Sequence, residues 1–337
     1  MKNLKKLSTG KKLLYLSLGS RVFVLLLISF IASMGTFLNY RLGYNSARLV
    51  SLSSGPIAGA LYSILDGITS LFGKPQAILQ TTSGMTWSIH VLGIPFTDPI
   101  AALSILIKHN SFEMGFLLGL IIPLGLAAIF GRIFCSYICP ASLLFFFTSR
   151  IRRFIEPYFL LPRISLSQGF AWGILAGGLF ASYMYGHGIW TFILPYFAMG
   201  QTLYASLAFG TVSSVVFSLI FFAVLDILLG PQFTCKYVCP TGRLLGFIGR
   251  HAIISVRRRA SDCPPRCNLC AEVCQMEISP RLDQTVNCTL CGECMIICPS
   301  GCLYPGAKES TKIIKDRILK ELISLKHTAL RENTEEK

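Results

Sequence analysis

The sequence is poor in charged residues, in histidine and in the motifs of soluble enzymes. Only 14% of its 337 residues are charged, against about 25% in soluble domains, and 53% are hydrophobic. This composition excludes an ordinary soluble domain and predicts a chain that lies largely in a membrane. With five histidines and no His pairs on spanning segments, a haem-bearing quinol oxidase is unsupported. The absence of a Walker loop, a Rossmann glycine pattern and a Ser/His/Asp arrangement leaves nucleotide-driven and hydrolytic functions unsupported.

Acidic residues are scarcer than basic ones. The chain has 16 Asp and Glu against 31 Lys and Arg, a formal net charge of +15. The basic residues flank apolar runs instead of forming one basic face, so nucleic-acid binding is a poor explanation. Their placement is typical of loops that orient membrane helices in a bilayer.

Four apolar runs are long enough to cross a hydrocarbon core of about 30 Å at about 1.5 Å per helical residue. They are residues 13–38, 114–133, 168–187 and 205–229. The first follows five lysines, and a signal peptide is the alternative for it. The length of this run and the lack of an Ala-x-Ala site favour a retained anchor.

Lys and Arg concentrate in three places: the N-terminus, the loop after the second run, and the segment after the fourth. These places are therefore expected in the cytoplasm, with both termini and the C-terminal domain there. The loop 188–204 has no Lys or Arg and is expected outside. The protein is then expected in the cytoplasmic (inner) membrane, and residues 39–111 form a segment outside the cytoplasm. In it, 57–72 and 87–107 are expected to be interfacial or re-entrant helices, because Asp66 and two prolines interrupt them.

The expected fold is an all-α polytopic membrane protein of about four transmembrane helices with a small C-terminal ferredoxin-like α+β domain. The membrane domain covers residues 1–259 and a Cys-rich domain covers 260–306. Residues 307–337 form a charged tail whose apolar residues recur at helical spacing.

Eight of the 13 cysteines form two arrays with the spacing of metal ligands. The second array is Cys288-x2-Cys291-x2-Cys294-x3-Cys298-Pro299, a continuous run typical of two-cluster ferredoxins and unlike the separated knuckles of zinc sites. The first array has one extra residue in its first gap, and Gln275 replaces the usual proline. In such arrays the fourth cysteine ligates the other cluster. This predicts two [4Fe-4S] clusters, one on Cys263, Cys267, Cys270 and Cys298, the other on Cys288, Cys291, Cys294 and Cys274. Cys302 is left over and is expected to be a small buried hydrophobe.

A second pair of motifs follows the second and fourth runs. Each is a Cys-x3-Cys-Pro box: Cys135 and Cys139 before Pro140, and Cys235 and Cys239 before Pro240. A spacing of four places two thiols on one face if the helix continues. The four thiols are expected to form one shared site, which could bind a third cluster, copper or zinc, or cycle through disulfides. Two independent structural helix ends are the alternative.

The boxes, the external Gly93-Ile-Pro-Phe-Thr-Asp98-Pro99 stretch and the terminal arrays together resemble the NapH-type membrane-bound 4Fe-4S ferredoxins. This group comprises the quinol-dehydrogenase membrane components of periplasmic nitrate reductase systems. Its wider relatives are methylamine-utilisation, nitrous-oxide-reductase maturation and cytochrome-oxidase accessory ferredoxins. The resemblance covers residues 110–305 and only loosely the N-terminal third. It implies electron transfer between membrane quinol, as substrate, and a redox partner protein.

Quinone chemistry needs proton acceptors near an apolar pocket. The candidates are Asp226, near the end of the fourth run, and Asp98 and His90 in the external segment. For Asp226, an ion pair with Arg132 is an equal alternative, and for His90 a structural role is the alternative.

Three functions remain open from the sequence. The first is a redox conduit between quinol and a ferredoxin-type or cytochrome partner. In this function the protein would be the quinol dehydrogenase component of an electron-transfer complex. The second is an assembly factor that uses the boxes to reduce or deliver metal for a respiratory enzyme. The third is a membrane iron–sulfur sensor. The neighbouring genes, a terminal reductase or oxidase-maturation proteins, would discriminate between the first two.

Overall fold

The computed structural model describes residues 2–44, 46–71, 83–85, 88–91, 93–109, 114–159, 161–209, 213–264, 267–280 and 287–307. Helix α1 (Lys2–Gly43) is the longest element and contains the predicted run 13–38. Its segment Thr9–Gly43 is the one helix, among those described, that is long and apolar enough to cross a membrane. Three shorter apolar helical segments are Pro99–Lys108, Leu117–Phe130 and Val216–Leu229.

Two helices, α2 (Ala47–Ser54) and α3 (Pro56–Leu71), pack against the C-terminal half of α1. The Ser46 hydroxyl accepts a hydrogen bond from the Leu49 backbone N–H and so caps α2. Asp66, which interrupts the apolar run on α3, binds the guanidinium of Arg41 on α1 at 2.5 Å. The predicted helix at 57–72 is confirmed.

The run 87–107 was expected to be helical, but only its second part forms a helix. Its first part forms β2 (Ser88–Val91) and β3 (Ile94–Thr97), which join β1 (Ser83–Met85), just before the run, in an antiparallel sheet of order β1-β2-β3. Gly93 turns between β2 and β3 with a φ of 81°, which glycine adopts without steric cost. Helix α4 (Pro99–His109) begins only after Asp98, whose side chain caps it.

Helix α5 (Met114–Phe130) corresponds to the second predicted run, and β3 crosses it closely at Gly119. A Cβ on Gly119 would lie within 2.3 Å of the Thr97 Oγ1, so only glycine fits there. The chain continues through α6 (Ile133–Tyr137), α7 (Ala141–Ile155) and α8 (Gln168–Tyr185), the third predicted run.

The fourth predicted run, 205–229, is wrong as a single helix. Helix α10 (Pro195–Phe209) ends inside it and α11 (Val216–Leu229) begins inside it. Residues 213–215 lie outside both helices, and the Ser213 carbonyl accepts from the Val216 N–H at 3.0 Å, because serine competes poorly for helix interiors and favours turns. The segment 188–204 is also helical, since it holds α9 (Trp190–Ile193) and most of α10.

The outer faces of the long helices carry large exposed apolar side chains. They include Leu16, Phe23 and Leu26 on α1, Leu118 and Ile121 on α5, Phe180 and Met184 on α8, and Phe217, Ile220, Phe221 and Leu228 on α11. Apolar surface on several helices is typical of contact with lipid. Together with the α1 segment, it indicates that the protein is associated with a membrane.

After helix α12 (Pro240–Ile248), a small unit is built on a two-stranded antiparallel sheet of β4 (Ile254–Arg258) and β5 (Leu303–Ala307). It also contains the short helices α13 (Leu269–Glu272) and α14 (Glu293–Ile297). Strand β4 begins before residue 260, in the part predicted to be the membrane domain. The tail beyond 307 lies outside the described residues.

The beginning of α1 packs against this small unit. A Cβ on Gly292, whose φ is 84°, would lie 2.8 Å from the Gly10 carbonyl oxygen, so glycine is required by both conformation and space. The Tyr137 hydroxyl also donates to the Leu290 carbonyl at 3.1 Å. The Cys-rich unit is therefore held directly against the end of the helical part that contains the boxes.

Candidate functional site

The two Cys-x3-Cys-Pro boxes share one local backbone geometry, although neither is a continuous α-helix. The Cys139 N–H donates to the Phe134 carbonyl at 2.9 Å, and the Cys239 N–H donates to the Thr234 carbonyl at 2.8 Å. Both bonds span five residues, the pattern of a π-turn, which is frequent at functional sites. The two cysteines of each box were expected on one face of a continuous α-helix. Instead, each box forms a wider turn, and the two turns have the same hydrogen-bond pattern.

All four box cysteines line one cavity. Its wall consists of Phe134, Cys135, Cys139, Phe145, Pro195, Tyr196, Cys235, Cys239, Thr241 and Gly242. We call it the box cavity. Soft thiol ligands in an apolar surrounding are the donor set of iron–sulfur clusters, copper(I) or zinc. The four thiols supply this donor set, although among the described residues no three of them lie close enough to hold a single ion. The meeting of the two boxes at one cavity is a feature of the fold.

The sequence did not reveal two polar residues of this cavity, Tyr196 and Thr241. The Tyr196 hydroxyl donates to Oδ2 of Asp98 at 2.5 Å and lies 2.7 Å from Oγ1 of Thr241. All three side chains are buried. Thr241 could have been noticed because it follows Cys239-Pro240, but no sequence signal marks Tyr196.

Asp98, expected in an external segment, reaches the box cavity through this hydrogen-bond network. Its Oδ1 also accepts from the backbone N–H groups of Ile100 and Ala101, at 2.9 and 3.0 Å. His90 is placed elsewhere, on β2 opposite Pro95, and does not line the cavity. Of the three proton-acceptor candidates, Asp98 is the one hydrogen-bonded to a residue of the cavity wall.

Asp226 is fully buried near the end of α11, and of its two alternatives the ion pair with Arg132 is not formed. Asp226 Oδ1 accepts from the Thr234 backbone N–H at 2.8 Å, and its Oδ2 has no hydrogen-bond partner. Arg132 instead donates to the Cys235 carbonyl at 3.1 Å. The first turn of the second box therefore binds both side chains separately. The Thr234 N–H binds the Asp226 carboxylate, and the Cys235 carbonyl binds the Arg132 guanidinium.

The eight array cysteines line two cavities in the small unit. Cys274, Cys288, Cys291 and Cys294 line one, together with Gln232 from the segment just before the second box. Cys263, Cys267, Cys270 and Cys298 line the other, together with Cys302. These are the two sets that crosswise ligation pairs. We call the first the inner cavity and the second the outer cavity.

The spacing within these sets suits a cluster better than a single ion. Among the described residues, no three His, Cys, Asp or Glu side chains are close enough to hold one metal ion. A four-iron cluster is larger than an ion, and its thiolates are spread around a cavity. Cys302 is buried, as expected, with its sulfur 3.5 Å from that of Cys298.

The protein alone does not favour thiolates in the inner cavity. Burial raises the pKa of the Cys288 thiol to about 11. Burial, with the nearby charge of Glu293, raises the pKa of Cys291 to about 12. Deprotonated thiols there need a positive charge, which bound iron supplies. The donor set of four thiols fits an iron–sulfur cluster, which would supply that charge.

Polar contacts fix the inner cavity against the helical part. The buried Glu293 carboxylate accepts from Gln275 at 3.0 Å and pairs with Arg153 of α7 at 3.5 Å. Lys236, inside the second box, pairs with Glu277 at 2.8 Å. Because both pairs join the two parts, the inner cavity lies on the side of the small unit that faces the boxes.

Comparisons with known proteins agree with these observations. A family model described as a 4Fe-4S binding domain matches residues 112–157 and 211–261, two segments that each contain one box. The ferredoxin-type protein NapH of Escherichia coli is 28% identical over 216 residues, 61% of this chain and 72% of that protein. NapH of Haemophilus influenzae is 25% identical over 217 residues, 61% and 73% of the two chains.

The methylamine utilization ferredoxin-type protein MauN of Methylorubrum extorquens is 28% identical over 203 residues, 59% of this chain and 68% of that protein. No solved structure matches the chain significantly. The resemblance that the motifs indicated is therefore confirmed. The chain is similar to the ferredoxin-type proteins NapH and MauN.

Proposed function

We propose that this protein is a membrane-bound iron–sulfur electron carrier that oxidises quinol, or reduces quinone, and exchanges the electrons with a soluble or membrane redox partner. The observation that carries the proposal is the position of the box cavity. It lies within the apolar helices, beside the Asp98–Tyr196 network, and directly next to the unit with the two array cavities.

In this proposal the twelve cysteines hold three centres. Cys274, Cys288, Cys291 and Cys294 hold one [4Fe-4S] cluster, and Cys263, Cys267, Cys270 and Cys298 hold a second. The four box cysteines hold the third, for which the family match to a 4Fe-4S binding domain over both boxes favours a cluster. When bound, such clusters supply reversible one-electron transfer.

The protein side chains must manage the protons. Oxidation of one quinol releases two electrons, which two one-electron centres would take up one each, and two protons, of which a buried carboxylate next to the redox site can accept one while the other passes to water. Asp98 is suited to this role because Tyr196 connects it to the wall of the box cavity. Asp226 has an unpartnered Oδ2 but no described contact with that wall, and is the weaker candidate.

Anaerobic mixing of the purified full-length protein with a short-chain quinol tests the function. We expect the visible absorbance of the clusters to bleach without any other reductant. In Asp98→Asn the rate of bleaching should fall about 100-fold, the usual range for loss of a general base. Asparagine can still cap α4, so the helix should be preserved.

Asp66→Asn is the matched control, because Asp66 lies on α3 and pairs with Arg41 far from the cysteines in the chain. It should bleach at the rate of the unaltered protein. If dithionite bleaches the clusters and quinol never does, the quinol proposal is wrong. The assembly-factor function would then be the better explanation.

We further propose that both termini and the Cys-rich unit lie in the cytoplasm of a cell with an inner membrane. The basic flanks support this orientation. A reporter active only outside the cytoplasm should be silent when fused after Lys337 and active when inserted next to Gly186, between α8 and α9. The reverse pattern of activity would invert the topology.

A further inference from the structure

Two arginines are buried against the boxes. Arg21, on α1, is 3% exposed, and Arg132, between α5 and α6, is 2% exposed. Arg21 donates from Nε to the Ser136 carbonyl at 2.6 Å and from Nη2 to the Ser136 hydroxyl at 2.9 Å. Ser136 lies between Cys135 and Cys139. The Arg21 guanidinium is therefore hydrogen-bonded to the first box.

The Arg132 guanidinium is hydrogen-bonded to the second box. Arg132 donates from Nη2 to the carbonyl of Cys235, and its buried Nε has no hydrogen-bond partner. The glycines of α12 make room for it, since a Cβ on Gly242 would lie 2.8 Å from Arg132 Nη2. The fold thus keeps space for this side chain beside the cysteines.

Neither arginine forms an ion pair with a carboxylate in the part of the chain that the structure describes. The nearby buried carboxylates have other partners. Asp98 binds Tyr196 and the start of α4, Asp226 binds the Thr234 N–H, and Glu293 binds Gln275 and Arg153.

Burying a charge without a counter-charge is expensive, and hydrogen bonds to carbonyl and hydroxyl groups offset only part of this cost. An anion held by the box cysteines, next to the Ser136 and Cys235 groups that the two arginines contact, would offset more of it. Four thiolates around an iron–sulfur cluster form such an anion, because their negative charge exceeds the positive charge of the cluster core.

We propose that Arg21 and Arg132 are the counter-charges of an anionic iron–sulfur centre held by Cys135, Cys139, Cys235 and Cys239, and that they raise its reduction potential. The proposal rests on the third centre of the proposed function. Reduction adds one negative charge to the centre, so neighbouring cations stabilise the reduced form more than the oxidised form. The two arginines make the centre able to accept electrons from a mild reductant such as quinol.

The test is a potentiometric titration of the full-length protein, purified without oxygen and followed by electron paramagnetic resonance. The box centre is identified as the signal that Cys139→Ser removes. In Arg21→Gln and in Arg132→Gln, we expect its oxidised-to-reduced equilibrium to shift roughly tenfold toward the oxidised form, which is 59 mV for a one-electron couple. Arg21→Lys and Arg132→Lys keep the charge and should recover most of this shift.

Arg152→Gln is the matched control. Arg152 is equally buried, on α7, but it donates to the carbonyls of Ile227 and Pro162 instead of the boxes. Its removal should leave the potential of the box centre unchanged. An equal shift in this variant would mean that loss of packing, not of charge, is responsible, and would overturn the proposal.

The remaining outcomes also decide. Unchanged potentials in both Gln variants overturn the proposal. Loss of the centre in a Gln variant but not in its Lys variant supports it, whereas loss in both assigns the arginine a purely steric role and overturns it. If the unaltered protein shows no signal that depends on Cys139, the third centre itself fails, and the arginine proposal fails with it for that separate reason.

Discussion

Replacement of Cys291 by serine is expected to remove one complete cluster, roughly four iron atoms per protein, and the corresponding signal of the reduced state. Cys291 lines the inner cavity with Cys274, Cys288 and Cys294. Serine is a harder ligand with a far higher pKa than cysteine and binds iron–sulfur clusters poorly. The measurement is iron and sulfide content together with electron paramagnetic resonance after reduction.

A double variant distinguishes crosswise from sequential ligation. If Cys274 and Cys291 hold the same cluster, as the inner cavity suggests, Cys274→Ser combined with Cys291→Ser loses one cluster only. If each array held its own cluster, the same protein would lose both. Cys302→Ser is the control, since Cys302 is a ninth cysteine of the unit and is not needed for either set. Iron content and signals that Cys291→Ser leaves unchanged would refute the ligand assignment.

The second large effect concerns the boxes. Cys139→Ser and Cys239→Ser, made separately in the full-length protein, are each expected to remove the same third centre and its full metal content. The reason is geometric, because residues one hundred positions apart in the chain line the same cavity. Elemental analysis of oxygen-free preparations identifies the metal, whether iron, zinc or copper, and spectroscopy shows whether both variants lose one and the same signal.

Cys302→Ser again serves as the control, with the third centre intact. Loss of metal in only one of the two box variants would show that the boxes work separately. A protein whose metal content is fully explained by the two array cavities would show that the box cysteines are structural. In either case the shared site would have to be abandoned.

The grouping of the array cysteines could be predicted from their spacing. The structure brings the same eight residues to two cavities in the same two sets. Three members of each set are close neighbours in one array, and the fourth comes from the other array, as crosswise ligation predicts. The helix of residues 13–38 was predictable for a similar reason, since composition and length determine it.

The predictions that failed involve places where the chain turns inside the apolar part. Hydropathy does not distinguish one helix from two short helices joined by a turn. It therefore predicts one helix over 205–229, where the structure has the end of α10 and the whole of α11. The hairpin before Asp98 was missed for the same reason, because an apolar stretch with two prolines suits several backbone paths.

What the sequence determined by itself is which residues can bind metal and where the apolar helices are, because both depend on neighbours close in the chain. What only the tertiary structure decided is what surrounds the box cavity. Arg21, Asp98, Arg132 and Tyr196 come from four separate segments, and no local pattern links them. Their meeting depends on packing between helices distant in sequence, which brings two buried guanidiniums, hydrogen-bonded to the box segments, and one buried carboxylate close to the four thiols.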